Sequence, residues 1–395
     1  MTSSRTSLRM AYFGHNRRDT AFVRRIRGFV EAGVDVTTYS YRRDGEPAEP
    51  GPNWPNVDLG HADHGKFLRR IGLYFLALKT VIGARRQLAD ADVVYARNLD
   101  IFLFAWFAMG IAKLGRRAPI YVYECLDVHE ALLGNGLKAR LLRAAERRVL
   151  ARADLLVVSS PGFIDHFFTP TQRYSGPTHW IENKLHFPNH VVARPALQVD
   201  EAAKADPLTI GWVGIIRCQR TLELLVNVAT ALPQHVHIRI AGLVSYFLLP
   251  DFDQSIEALP NIEFRGPYDW PSGLADAYQG TDLVWSQELS WSGGNSDWLI
   301  PNRVYEASYF GVPSLAIEST QTGRIVAQRE LGFVLPEASA NVLIEFLRNL
   351  PADELSAARS RLLSRPERDF VLQQQDTEDL LQAIEDAGSA RKRQA

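Results

Sequence analysis

Residues Asp282–Glu318 read DLVWSQELSWSGGNSDWLIPNRVYEASYFGVPSLAIE, and the alternation of apolar and polar segments in them decides the fold. The short apolar run Leu283–Trp285 predicts a strand that ends in a polar, glycine-containing loop, Ser286–Ser296. A helix is expected from about Asn302 to Phe310, closed by Gly311 where φ > 0 is favoured and by Pro313 just beyond. Ser314–Ile317 then predicts a second strand at once. Strand, loop, helix and strand in that order make one unit of a parallel sheet, and the loop lies at the carboxyl edge, where such sheets take ligands.

The start of that helix carries chemistry. Pro301 is tolerated there because first-turn N–H groups have no helical acceptor to lose. Those N–H groups and the helix dipole attract an anion such as a diphosphate. Arg303 and Glu306, three residues apart, share one side of the helix. A guanidinium can neutralise phosphate, and a carboxylate can accept two hydrogen bonds from a diol such as ribose. On an open surface the same two residues would be an ordinary ion pair of little consequence.

Pro301-Asn302-Arg303-Val304-Tyr305-Glu306, followed by Gly311-Val312-Pro313, resembles the Pro-Asn-Lys/Arg-x-x-Glu…Gly-x-Pro signature of GT-B glycosyltransferases. The resemblance is to the group 1, family 4-like bacterial enzymes that build exopolysaccharide and other cell-surface glycans. It implies an α/β fold of two Rossmann-like parallel-sheet domains facing an interdomain cleft. It also implies that Arg303 contacts the diphosphate of a nucleotide-sugar donor, that Glu306 holds the ribose, and that Asn302 belongs to the same donor site.

A length of 395 residues accommodates two domains, each able to bury a full core. The apolar and charged fractions, 46% and 23%, are those of an ordinary globular chain. Two cysteines, Cys125 and Cys218, make no disulfide framework, so a reducing compartment is expected. The start, MTSSRTSLRMAYFG, lacks the apolar run of a signal peptide. Residues 1–200 are net positive and residues 201–395 net negative. The basic half therefore suits an anionic partner: a membrane surface or a lipid pyrophosphate ahead of nucleic acid, for which no motif is present.

In chain order, Leu8–Phe13 predicts a first strand, Gly14–Asp19 its loop, Ala21–Ala32 a helix and Val34–Tyr41 the next strand. The Gly14 loop lacks the further glycines of a dinucleotide fingerprint. In the resembling enzymes this loop faces the cleft, which makes His15 and Asp19 acceptor-side candidates. Residues 43–64 read as an irregular excursion. Lys66–Gln87 reads as an amphipathic helix, packed on the sheet, whose Lys66, Arg69, Arg70, Arg85 and Arg86 could also meet anionic headgroups. Asp90-Ala91-Asp92 has the spacing of a metal-binding motif but precedes the strand Val93–Tyr95, so it reads as a turn. Ile101–Leu114 is very apolar but too short to span a bilayer, which takes about 20 residues.

Ile120–Glu130 then carries acids and a histidine off the end of a strand: Glu124, Asp127 and His129. An inverting transfer needs a base for the acceptor hydroxyl, and Asp or His can serve. This resembles the Asp/His loop of GT-B enzymes, which implies Asp127 and His129 as catalytic candidates and Glu124 on the acceptor side. The plain alternative is that Asp127 caps the helix that follows. Leu137–Arg152 reads as a basic helix, Asp154–Ser160 as a strand, Gly162–Phe168 as a helix and Trp180–Asn183 as the exit from the first domain.

The second half opens with the strand Leu208–Gly214, its loop Ile215–Arg220 and the helix Thr221–Leu232. Arg217 and Arg220 lie where the resemblance implies a basic residue against the donor phosphates. The family more often has that arginine directly after the glycine, where Ile215 stands. Ser319–Gly323 reads as a loop before a helix Arg324–Leu331, and Thr322 and Gly323 offer hydroxyl and N–H to the same diphosphate. The usual Glu-x7-Glu pair is incomplete, since Trp298 stands eight residues before Glu306. That departure leaves inversion or retention open.

The expected organisation is an acceptor domain 1–188, a linker 189–207, a nucleotide-sugar domain 208–351, and C-terminal helices 352–395 that cross back onto the first domain. The expected activity is transfer of a sugar from a nucleotide sugar to a glycan or lipid-linked acceptor. No cofactor and no metal are expected, and the expected location is cytoplasmic, at the inner face of the membrane. Two alternatives differ in class: a nucleotide-sugar 2-epimerase, which would act on donor alone, and a non-catalytic sugar-nucleotide-binding subunit.

Overall fold

A computed structural model describes residues 7–42, 54–61, 77–112, 118–187, 192–196 and 207–394. The expectations for residues 43–53, for Lys66, Arg69 and Arg70, and for most of the linker lie outside these residues. The chain forms two compact units: Met1–Ile181 with Gln373–Ala395, and Glu182–Leu372.

The first unit is built on seven parallel strands: β1 (Arg9–Gly14), β2 (Asp35–Arg42), β3 (Asn56–His61), β4 (Val93–Arg97), β5 (Ile120–Cys125), β6 (Leu155–Val158) and β7 (Thr178–Trp180). They lie in the order β3-β2-β1-β4-β5-β6-β7. β1 and β4 are buried almost throughout, as strands covered on both faces must be. Helix α1 (Thr20–Glu31) links β1 to β2, whereas α2 (Leu99–Ala112) links β4 to β5 and α3 (Leu137–Leu150) precedes β6. These connections run in opposite directions across the sheet, so right-handed crossovers put α1 on one face and α2 and α3 on the other. β1 and β4 are therefore neighbours from which the chain departs to opposite sides: the switch point. Stacked aromatic rings fill the core there, with centroids of Tyr12 and Tyr95 4.7 Å apart and of Phe13 and Tyr39 4.6 Å apart.

The second unit repeats the plan with six strands: β8 (Leu208–Ile216), β9 (Val236–Val244), β10 (Ile262–Phe264), β11 (Leu283–Trp285), β12 (Ser314–Ile317) and β13 (Gly332–Leu335). Their order is β10-β9-β8-β11-β12-β13, all pairings are parallel, and the switch point falls between β8 and β11. Helices α4 (Gln219–Ala231), α5 (Asn302–Tyr309), α6 (Gln321–Gln328), α7 (Ala340–Asn349) and α8 (Ala352–Ser364) follow in order. Trp212 and Trp285 are fully buried in the core. Gly311 ends α5 at φ 73°, and a Cβ there would also lie 2.6 Å from Leu363, so both conformation and space require glycine. The last helix, α9 (Gln374–Gln394), is part of the first unit and packs on α1, β5 and β6.

Three differences from the sequence reading have local causes. β3 lies inside the stretch taken as irregular. It is an edge strand whose Gly60 has φ 102°, and Asp58 accepts a hydrogen bond from the Gly60 N–H, so no alternating pattern marks it. The division between units falls at 181/182, because Glu182 is held by Tyr305 and Arg329 of the second unit. Helix α8 likewise stays with the second unit, next to α5.

Candidate functional site

At the β8/β11 switch point the loop after β8 brings Arg217, the first turn of α4 brings Arg220, and the loop after β11 brings Glu288, Trp291 and Ser292. Arg217 Nε lies 3.8 Å from Glu288 Oε2, beyond hydrogen-bond reach, and is itself buried without a hydrogen-bond partner. Its guanidinium sits 5.6 Å from the centroid of the Trp291 ring. Arg220 donates to Ser292 Oγ at 2.8 Å. Arg303, in the first turn of α5, reaches toward the same place and donates to the Trp285 carbonyl only at 3.4 Å. Glu288 anchors the group: one oxygen accepts from Leu289 N, Ser290 N and the Ser290 hydroxyl. Burial pushes its pKa up, but Arg303, the Ser290 hydroxyl and Arg217 outweigh that and hold it below the usual carboxylate range.

Glu306 lies one turn on from Arg303 and accepts from the Tyr278 hydroxyl at 3.1 Å. Burial, with the Glu306 charge beside it, keeps that phenol protonated by raising its pKa well above the ordinary value. Asn302 is half-buried at the start of α5, where Pro301 supplies no side-chain cap. Thus Arg217, Arg303, Glu306 and the first turn of α5 come together, with Arg220 close by.

Thr322 and Gly323 do not join them. Helix α6 begins at Gln321, three residues earlier than expected, because Thr320 is its cap and accepts from Gly323 N at 3.0 Å. The Thr322 hydroxyl is fully buried and donates to the Leu299 carbonyl at 2.9 Å. A Cβ on Gly323 would come within 2.0 Å of the Ile317 carbonyl, so its role is close packing of α6 on β12. Sequence reading also missed Glu288, although it stood in the loop singled out as polar. Its only signal was an acid between two strands at the carboxyl edge.

In the first unit the switch point holds His15, from the loop after β1, and Asp100, from the first turn of α2, with His15 Nε2 2.9 Å from Asp100 Oδ2. Asp19 caps α1 by accepting from Phe22 N at 2.8 Å and also receives Arg97 Nη1 at 3.1 Å. Asp127 is exposed after β5. His129, not Asp127, caps the short 3-10 turn Glu130–Leu132, its Nδ1 accepting from Ala131 N at 3.1 Å. With Nδ1 so occupied, a neutral His129 carries its proton on Nε2 and presents a donor there.

Glu124 departs furthest from expectation. It is 0% exposed and lies within the core, not on the acceptor face. Arg25 Nε donates to one oxygen at 3.0 Å, and Arg97 Nε and the Tyr12 hydroxyl donate to the other at 2.6 and 3.0 Å. Burial raises its pKa, but Arg97 and Arg25 together bring it down to about 2. Asp92, from the motif read as a turn, accepts from Arg9 N at 3.1 Å. Among the described residues, no three His, Cys, Asp or Glu side chains gather as a metal site, and no helix is long and apolar enough to cross a membrane.

Residues 20–182 match the family described as the glycosyl transferase 4-like domain. The succinoglycan biosynthesis protein ExoL of Rhizobium meliloti is 32% identical over 381 residues, covering 95% of this chain and 93% of that protein. Among solved structures, sucrose-phosphate synthase from Thermosynechococcus elongatus superposes with a TM-score of 0.72 at 14% identity, over 97% of this chain and 100% of its own. The Anabaena HepE protein in complex with UDP-glucose gives 0.64 at 14% identity, over 97% and 100%. WaaG, a glycosyltransferase involved in lipopolysaccharide biosynthesis, gives 0.61 at 15%, over 91% and 97%.

Proposed function

Since the chain belongs to the GT-B, group 1 glycosyltransferases of exopolysaccharide biosynthesis, we propose that it moves a sugar from a nucleotide diphosphate sugar to a lipid-linked glycan without a metal ion. The observation that carries this reading is the convergence of Arg217 and Arg303 on Glu288 at the β8/β11 switch point, with Arg217 Nε lacking a hydrogen-bond acceptor. A diphosphate offers what that nitrogen lacks, and two guanidinium groups with the uncapped first turn of α5 supply the positive charge a divalent ion would otherwise bring. Glu306, one turn further, takes the ribose hydroxyls. UDP-glucose is the first donor to try, because HepE is a UDP-glucose complex on the same fold.

In an inverting transfer, Asp127 accepts the proton of the acceptor hydroxyl and the resulting oxygen attacks the anomeric carbon. The bond from that carbon to the β-phosphate oxygen breaks, and the nucleoside diphosphate leaves with the electron pair, neutralised by Arg217 and Arg303. Asp127→Asn is expected to reduce transfer about a hundredfold to ten-thousandfold while calorimetric donor affinity stays within error. Near-normal turnover would remove Asp127 as the base. Turnover abolished by a chelator would refute the metal-free mechanism, and conversion of donor with no acceptor present would identify an epimerase instead. The setting that fits a lipid-linked acceptor is the cytoplasmic face of the membrane.

A further inference from the structure

Helices α2 and α3 pack side by side on one face of the first unit's sheet, and their outer sides carry a group of exposed apolar residues. On α2 these are Leu103, Trp106 and Phe107, spaced as one helical stripe, with Phe107 57% exposed. On α3 they are Leu137 and Leu141, 71% and 62% exposed. Single exposed apolar residues need no explanation, but five on two adjoining helices mark a contact surface.

The exposed charges of α3 are of one sign, and the acid of α2, Asp100, sits in that helix's first turn, 2.9 Å from His15 Nε2. Arg140 and Arg148 lie at three and eleven residues from Leu137, on the stripe it shares with Leu141, and both are exposed. Arg152, just past α3, places its guanidinium 5.1 Å from the centroid of the Trp106 ring and so ties the two helices together. Lys138 and Arg147 are exposed on the same helix. The one acid on α3, Glu146, points the other way and is buried, where it accepts from the Tyr123 hydroxyl at 2.8 Å.

We propose that this α2/α3 face docks on an anionic lipid bilayer, Leu103, Trp106, Phe107, Leu137 and Leu141 entering the interface and the arginines meeting headgroups. The proposal rests on the lipid-linked acceptor argued above, and it places the membrane contact on α2 and α3 rather than on the stretch Lys66–Gln87. Aromatic and aliphatic side chains flanked by Arg and Lys have the chemistry of an interfacial element. A second copy of the chain is a poorer occupant, because two such faces would set arginine against arginine.

Flotation with vesicles tests it. The full chain is expected to float with vesicles of mixed phosphatidylglycerol and phosphatidylcholine and to stay behind with phosphatidylcholine alone. Arg140→Ala with Arg148→Ala is expected to lower partitioning about fivefold per arginine, and Phe107→Gln with Leu141→Gln about tenfold or more. All variants should keep the wild-type thermal shift with inorganic pyrophosphate, which reads the donor site and is blind to this face. A wild-type chain that ignores anionic vesicles, or paired variants that float as it does, would overturn the proposal. So would a dimer that Phe107→Gln with Leu141→Gln turns into monomers, since the face would then belong to a second copy. Loss of the pyrophosphate shift in the wild type would instead count against the donor-site reading, whatever the vesicles show.

Discussion

Each unit holds the same chemical parts, a carboxylate between two arginines, and the two use them in opposite ways. In the first unit Glu124 is sealed in the core, with Arg25 and Arg97 at 3.0 and 2.6 Å and a phenol completing its hydrogen bonds. In the second, Glu288 spends one oxygen on its own loop, holds Arg217 only at 3.8 Å, and leaves that arginine's Nε without an acceptor. Short, complete contacts make a structural element with nothing left for a ligand. Long, incomplete ones keep guanidinium groups in place while leaving them able to take phosphate oxygens. The comparison predicts that damage to one cluster is read as stability and damage to the other as affinity.

The largest effect is expected from Glu124→Gln. It leaves the buried Arg25 guanidinium without a counter-charge and Arg97 with Asp19 alone, and should cost about 3–5 kcal/mol, measured by denaturant unfolding, with nucleotide affinity unchanged for the folded fraction. The same residue sets an acid limit. Its folded pKa of about 2 lies below its ordinary 4.5, so its contribution is present above 4.5 and is lost as the pH falls toward 2. The variant should lack that acid limb, and retaining it would place the titration elsewhere.

Arg303→Ala should weaken donor binding about tenfold to a hundredfold in calorimetry with UDP-glucose, while the unfolding midpoint stays near wild type. The reverse pattern, lost stability at unchanged affinity, would erase the distinction between the clusters. Glu306→Gln is expected to act in the same direction and less strongly, because the amide keeps one acceptor for ribose.

The smallest effect sharpens the comparison within the first unit. Glu146 is buried with hydroxyl and amide donors, from Tyr123 and Gln172, but without an arginine. Burial pushes it up to about 7 against these hydrogen bonds. A raised folded pKa contributes stability below the ordinary 4.5 that is lost as the pH rises toward 7. Glu146→Gln should therefore be more stable than wild type at pH 8 and indistinguishable from it at pH 4, as thermal unfolding at the two values would show.

Much of this was legible in the chain because local rules write it. The run Leu283–Ile317 announces its strand, helix, φ > 0 glycine and second strand by residue type alone, and the structure has each of them within a residue. Arg303 and Glu306 were visible because three-residue spacing on a helix is a local fact. Glu124 was misplaced because its partners are 99 and 27 residues away, and no local pattern says that two arginines will close over it. Thr322 and Gly323 were misplaced because a Thr320 cap moved the start of α6 upstream. Glu288 was passed over for the same reason as Glu124: its meaning lies in arginines brought to it by other strands.

Helix α9 gives the first unit a discontinuous chain, since Arg391 donates to Asp154 and to the Pro119 carbonyl, and Gly388 sits where any side chain would strike Ile120. During synthesis, at about 5–20 residues per second, the ribosome must deliver all of Glu182–Leu372 before that helix exists. The nascent first unit therefore waits, with the face that α9 will cover still bare, while its neighbour is made. A stop codon a few turns from the end would leave the donor residues intact and still spoil the other unit.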